Sequence, residues 1–405
     1  MSIRKEGRRA KKTVKDIEVR GERVLVRVDF NVPLDPETGE ISDDTRIRAV
    51  LPTIKYLLDN RAKLILCSHF GRPQGKVVEE MRLSPVAKQL SELIGLPVGI
   101  AKDCIGPEVE EAVSRLKEGD VLLLENLRFH PEEEKNDPGF AQALARLADV
   151  YVNDAFGTAH RSHASTVGIA SYLPAVAGFL MEKEIDIMGK ALDDPVRPVA
   201  ALIGGAKISD KIGVLEHLME RVDSLLIAGG MGSTFLKALK YGVGESSVEE
   251  NKLGLAQWLV EKAAEKGVHL LLPADVVVAE KFDSRARSKT VPITGVPAGW
   301  YVMDIGPRTI ELFEAKLRKS KTIIWNGPVG VFEFLKFAKG TEALAHLLAG
   351  LDATTIIGGG STAEAVEELD LVDKMTHVST GGGASLRFLE GRTLPGVAAL
   401  QDKEA

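Results

Sequence analysis

Short apolar runs rich in β-branched residues recur along the chain, and each stops abruptly at a polar or glycine-rich cluster. Residues 24–28, Val-Leu-Val-Arg-Val, predict a buried strand, and Pro33 closes the segment because proline cannot donate to a ladder. Runs at 63–67, 121–124 and 150–152 predict further strands. Between the first two, Ile47, Val50, Leu51, Ile54 and Leu57 recur at helical spacing, so the stretch opened by Asp43-Asp-Thr-Arg46 predicts a helix with Arg46 in its first turn. Residues 178–192 predict a second helix, ended by Asp193, Asp194 and Pro195. In the second half, strands are predicted at 199–203, 224–228, 323–325, 354–357 and 377–379, each running into glycines. Strand, loop and helix in this alternation predict an α/β fold of doubly wound parallel sheets, Rossmann-like in architecture.

The length of 405 residues predicts two such domains, each able to bury a full core. A net charge of −6 argues against a protein built to coat nucleic acid. Cys67 and Cys104 lie far apart with no metal-ligand spacing, which predicts free thiols in a reducing cytoplasm rather than a zinc site or a disulfide. The longest charge-free run, 164–181, is broken by Ser171, Tyr172 and Pro174 and is too polar to span a bilayer, so no membrane association is expected. Residues 1–12 carry Arg4, Lys5, Arg8, Arg9, Lys11 and Lys12 with little apolar content, the pattern of a solvated, frayed end or of an anion-binding arm.

In a parallel sheet, ligands collect beyond the carboxyl ends of the strands. Just past the predicted ends stand Asp29 and Asn31, then His69 and Arg72, then Arg128, then His160 and Arg161. Asp and Asn in that place serve either a turn or a ligand's hydroxyl groups. Guanidinium groups at several matching strand ends predict a polyanion site, because they bind carboxylate and phosphate oxygens bidentately. A cation in the first turn of a helix opposes the helix dipole, so Arg46 is assigned to the same anion. The glycine loops of the second half include Gly204-Gly-Ala-Lys207 with Lys211, Gly229-Gly230, Asn326-Gly, Gly358-Gly359-Gly360-Ser361-Thr362 and Gly381-Gly382-Gly383. Such loops present free N–H groups at helix starts, which suits the phosphates of a nucleotide. Neither GxxxxGK[ST] nor a GxGxxG after the first strand of either half is present, so this is neither a Walker loop nor a dinucleotide fingerprint.

Arg-Val-Asp-Phe-Asn-Val-Pro, Ser-His-Phe-Gly-Arg-Pro, Glu-Asn-Leu-Arg-Phe and Asn-Asp-Ala-Phe-Gly-Thr-Ala-His-Arg, in this order, resemble the successive signatures of the phosphoglycerate kinases. The resemblance spans nearly the whole chain. It implies reversible phosphoryl transfer between 1,3-bisphosphoglycerate and ADP, giving 3-phosphoglycerate and ATP, by a cytoplasmic monomer. It assigns Asp29, Asn31, Arg46, His69, Arg72, Arg128, His160 and Arg161 to the phosphoglycerate. Gly229, Gly230, Asn326, Glu333, Lys207, Lys211 and the loop 358–362 are assigned to the nucleotide. Charge on the moving phosphoryl group falls to Arg46 and Lys207, with the N–H groups of Gly382 and Gly383. The implied domains are 1–177 for phosphoglycerate, a joining helix at 178–194 that serves as a hinge, and 195–386 for nucleotide, with 387–405 returning to the first. Magnesium is expected as MgATP and MgADP. Relatives commonly carry aspartate where this chain has Ser361, which leaves phosphates, water and Asp210 as candidate ligands. A two-lobed anion-binding protein and a nicotinamide dehydrogenase are the competing readings of the same sheets; the first does not need lysine-bearing nucleotide loops.

Overall fold

The computed structural model of the chain describes residues 10–403. They divide into two compact units, one comprising the residues up to Asp186 together with those from Thr393 onward, the other Ile187–Arg392.

In the first unit six parallel strands, β1 (Arg23–Arg27), β2 (Lys63–Cys67), β3 (Val98–Ile100), β4 (Val121–Leu123), β5 (Val150–Asn153) and β6 (Ala175–Ala177), form a sheet in the order β3-β4-β2-β1-β5-β6. Val24 pairs with Leu64 on one side and with Val150 on the other, so β1 is flanked by a strand on each side. Side chains alternate along a strand. Val24, Val26 and Val28 accordingly pack with Ile47, Val50, Ile54 and Leu57 of helix α1 (Thr45–Asp59), the apolar stripe expected from their spacing. Helix α2 (Phe179–Asp193) starts after β6, and two of its first N–H groups find partners in this unit: Phe179 N donates to Thr53 Oγ1 (2.9 Å) and Met181 N to Asp154 Oδ1 (3.1 Å). Burial raises the Asp154 carboxyl to about 7.

The second unit has its own six-stranded parallel sheet, ordered β15-β14-β13-β7-β8-β9. Its strands are β7 (Val199–Ile203), β8 (Ser224–Ile227), β9 (His269–Leu271), β13 (Thr322–Asn326), β14 (Thr354–Gly358) and β15 (His377–Val378). Helices α3 (Gly230–Ala238), α4 (Gly360–Glu368) and α5 (Gly382–Leu389) begin on the glycine loops that follow β8, β14 and β15. A three-stranded antiparallel sheet of β10 (Asp275–Ala279), β11 (Ser288–Pro292) and β12 (Tyr301–Ile305) completes the unit.

The strands predicted from the apolar runs lie within one residue of those observed at each end. Strands β3, β6 and β9 and the antiparallel sheet were not anticipated. Two expectations need correction. The helix Gly382–Leu389 contains Arg387, and Leu389 O pairs with His217 Nδ1 (2.7 Å), so the returning segment starts at Thr393 and not at 387. That segment lies beside β6 and the N-terminal residues, with Gln401 N donating to Ala175 O (2.9 Å) and Lys403 N to Ala10 O (2.7 Å). Lys11 and Lys12 are therefore not a solvated arm: Lys12 N donates to Gln401 O (2.8 Å), and Lys11 Nζ reaches Leu400 O (2.9 Å) and Asp402 Oδ1 (2.6 Å). Arg4, Lys5, Arg8 and Arg9 lie outside the described residues. Among the described residues, no helix is long and apolar enough to cross a membrane.

Candidate functional site

Strand order reverses between β1 and β5 in the first sheet and between β7 and β13 in the second. At such a switch point the following loops diverge and leave a crevice at the carboxyl ends of the strands.

In the first unit the residues past β1, β2, β4 and β5 interlock. Arg46 Nη1 donates to Asn31 O (2.9 Å) and lies 3.4 Å from Asp29 Oδ2. Asn31 Oδ1 accepts from Gly71 N (2.8 Å), and Gly71 O accepts from Arg128 Nη1 (3.0 Å). His69 is buried, with Nδ1 4.0 Å from Asp29 Oδ1. Its burial, then the positive charges of Arg27, Arg128 and Arg46, hold it well below the ordinary histidine range. Burial likewise lowers Arg128, against the attraction of Glu134, and the nearby Arg27 and Arg161 lower it further. Arg72 and Arg161 are exposed on their loops, and His160 is half-buried beside Arg161. Asp29, Asn31, Arg46, His69 and Arg128 are thus linked through bonds and charge.

Three groups of this cluster carry no assignment from the sequence. Arg27 is fully buried at the end of β1, and Glu133 is fully buried on the short helix Pro131–Glu134. His163 is pushed down to about 3 by burial and then by Arg128, Arg27 and Arg161. The legible signal for Arg27 was a charge inside an otherwise apolar strand; Glu133 and His163 had none. Asp103, Cys104 and His130 also come together, their donor atoms within 4.8 Å of one another, although spacing gave no sign of it. His130 Nε2 and Asp103 Oδ1 are 2.7 Å apart, and burial raises the Cys104 thiol well above its usual value. Both cysteines are free and buried, and burial raises Cys67 to about 12.

In the second unit, the loops after β7 and β13 cross backbone on backbone. Gly204 N donates to Asn326 O (3.0 Å) and Gly205 N to Pro328 O (3.1 Å). Beside this crossing lies a cavity of about 290 Å³ lined by Gly205, Lys211, Asn326, Gly359–Thr362, Gly382 and Gly383, among others. The helices α4 and α5 begin among its lining residues, neither with a side-chain cap on its first N–H groups. Lys211 Nζ donates to Asn326 Oδ1, while the buried Asn326 Nδ2 has no hydrogen-bond partner. Burial lowers Lys211 to about 8, so the ammonium form still prevails at neutral pH. No carboxylate lines this cavity. N–H groups, an amide and an ammonium suit phosphate oxygens.

A larger cavity of about 510 Å³ shares Gly205, Pro328 and Ser361 with the first. Gly229 and Gly230 line it on one side, and Val276, Phe282, Tyr301 and Met303 of the antiparallel sheet region on another, with Glu333 at its margin. Apolar walls beside a phosphate-type cradle fit a base and ribose. Lys207 and Asp210 line neither cavity and are exposed on the loop after β7.

The family model described as phosphoglycerate kinase matches residues 14–392. The phosphoglycerate kinase of Moorella thermoacetica is 60% identical over 394 residues, covering 97% of this chain and all of that protein. That of Gloeothece citriformis is 60% identical over 399 residues, covering 97% of this chain and 99% of its own length. The solved phosphoglycerate kinase of Coxiella burnetii is 39% identical with a TM-score of 0.87, over 96% of this chain and 98% of that one. For the Pyrococcus horikoshii enzyme the figures are 33% and 0.81, with the same coverage. With a basic cluster past the strand ends of one sheet and glycine-lined cavities past those of the other, this chain belongs to the phosphoglycerate kinase family, the glycolytic kinases that transfer phosphate from 1,3-bisphosphoglycerate to ADP.

Proposed function

We propose that the transfer is direct and in line, with 3-phosphoglycerate held by Asp29, Asn31, Arg46, His69, Arg72, Arg128, His160 and Arg161. The nucleotide is then held by Lys211, Gly229, Gly230, Asn326, Glu333 and the loop 358–362. The observation that carries this reading is the 290 Å³ cavity lined by two helix N-termini, Lys211 and Asn326 with no carboxylate, a cradle for phosphate. In the direction of ATP use the nucleophile is an ionised carboxylate, so no general base is required. What needs stabilising is charge on the moving phosphoryl group, the role given to Arg46, Lys207 and the N–H groups of Gly382 and Gly383. Direct transfer requires the two ligands to meet with water excluded, because an acyl phosphate is otherwise hydrolysed, and we assign the helix Phe179–Asp193 as the hinge. The protein acts as a cytoplasmic monomer, a state that light scattering measures.

A coupled assay with ATP, magnesium and 3-phosphoglycerate tests the reading. Turnover supports it; anion binding without turnover favours a binding protein, and hydride transfer to a nicotinamide a dehydrogenase. Arg128→Ala should raise KM for 3-phosphoglycerate by about tenfold, the loss of one charge-assisted hydrogen bond, with KM for ATP unchanged. A change confined to KM for ATP would reverse the assignment of the two sites.

Magnesium fits as part of the substrate complex, because the phosphate cradle offers no carboxylate to hold the ion alone. When bound it neutralises charge on the phosphates. Ser361, exposed at the join of the two cavities, would contact it through water, and Asp210 is the nearest acidic candidate in sequence to the lysines. Ser361→Ala should therefore change MgADP affinity by less than about threefold, and Ser361→Asp should be tolerated and tighten it. Calorimetric titration reads both; a large loss in Ser361→Ala would make the hydroxyl a direct ligand.

A further inference from the structure

We infer that Arg27 is a positioning residue that fixes the His69 imidazole in the tautomer carrying its proton on Nε2, so that the ring presents a hydrogen-bond donor to the phosphoglycerate. The substrate half of this inference rests on the assignment of His69 proposed above; the tautomer does not.

Arg27 ends β1 on the face opposite Val26 and Val28 and is fully buried. Its guanidinium is held on three sides. Nε donates to Ser165 Oγ (2.9 Å), Nη1 to Val28 O (2.5 Å), and Nη2 lies 3.2 Å from His69 Nδ1. Behind it, Ser165 Oγ donates to Glu133 Oε1 (2.5 Å) and Ser165 N to Glu133 Oε2 (3.0 Å), which places a buried carboxylate to offset the buried cation.

A guanidinium has five donors and no acceptor. A ring nitrogen 3.2 Å from Nη2 must therefore offer its lone pair, and the single proton of a neutral imidazole goes to Nε2. The carboxylate nearest to Nδ1, Asp29, is 4.0 Å away, beyond hydrogen-bond range, so it cannot claim a proton on that atom. The charged and titratable groups facing His69 are Arg27 from β1, Arg46 from α1, Arg128 after β4, His163 after β5 and Asp29 after β1. Arg27 alone among them binds the ring directly. Removing it frees Nδ1 to protonate and takes away one of the positive charges that oppose an imidazolium.

The test is the ring nitrogen spectrum of the protein labelled with ¹⁵N-histidine, with His69→Gln used for assignment. In the wild type His69 should show a bare Nδ1 and a protonated Nε2 at neutral pH, with any titration displaced below the ordinary histidine range. A proton on Nδ1, or a titration near the ordinary value of 6.5, would overturn the inference. In Arg27→Met the signal should become a tautomer mixture whose titration moves upward towards the ordinary range. KM for 3-phosphoglycerate should rise by about tenfold at pH 8, and its ratio to the wild-type value should fall as the pH drops and the ring charges, with KM for ATP unchanged. A merely structural role would lower the unfolding midpoint while leaving tautomer and pH profile as in the wild type, and that result refutes positioning. If Arg27→Met does not fold, the double variant Arg27→Met with Glu133→Gln, which leaves no unpaired buried charge, takes the same readings. An unchanged KM for 3-phosphoglycerate in His69→Gln would remove His69 from the substrate site, whereas the spectrum judges Arg27 independently.

Discussion

Arg46→Ala should lower kcat by roughly three powers of ten or more, the range found when an arginine facing a moving phosphoryl group is lost, while MgADP affinity stays within about twofold. The expectation follows from how little of the guanidinium is committed. One bond to Asn31 O is short at 2.9 Å, the approach to Asp29 is a long 3.4 Å, and 39% of the side chain is exposed. A group held by one edge keeps donors for charge that develops during transfer, and interactions made only in the transition state change kcat without changing ground-state binding. The position supports this, because a cation in the first turn of α1 opposes the helix dipole and gains nothing for the helix. Steady-state kinetics and calorimetry check the two halves separately. An unchanged kcat removes Arg46 from the mechanism, and a fall in kcat matched by a fall in unfolding midpoint reassigns it to structure.

Gly204→Ala should destabilise the second unit by about 3 kcal/mol or more and weaken MgADP binding at least tenfold. A Cβ at Gly204 would stand 2.0 Å from Pro328 O and 2.6 Å from Gly327 O, and both are backbone atoms that no rotamer change can move aside. The loops after β7 and β13 would have to separate, and they form the crossing beside which the 290 Å³ cavity opens. Trp258, Trp300 and Trp325 all lie in the second unit, so tryptophan fluorescence during denaturation reports on it selectively. Trp325 is fully buried, with Nε1 donating to Gly327 O (2.8 Å), and reads the crossing itself. Gly189→Ala is the control: it lies inside α2 with nothing within 4 Å of a built Cβ, and alanine there should stabilise by about 0.5 to 1 kcal/mol. A wild-type midpoint in Gly204→Ala would show that the crossing is loose.

What the sequence by itself determined was whatever depends on near neighbours in the chain. Runs such as 63–67 and 199–203 are strands because β-branched and aliphatic side chains favour a buried sheet, and the loops that end them are marked by Gly71 and Pro73 and by Gly204 and Gly205. The placing of Asp29, Asn31, His69, Arg72, Arg128 and the glycine loops past strand ends was legible for the same reason. So was Arg46, from one charge at the wrong end of a helix. Tertiary structure alone decided what depends on residues far apart. Arg27 reads as an oddity in an apolar strand until Ser165, 138 positions later, and His69, 42 positions later, close around it. Glu133 looks like one more acidic residue on a surface helix until burial and Ser165 show it as the counter-charge. Lys11 and Lys12 have the composition of a loose end, and contact with residues 400 to 402 and with Ala177 docks them. The apolar wall of the larger cavity comes from Phe282, Tyr301 and Met303, around strands that pair antiparallel across long loops. Periodicity reports which face of an element is apolar, but which distant groups complete that face is set by loop closure and sheet order. Those are properties of the folded chain as a whole.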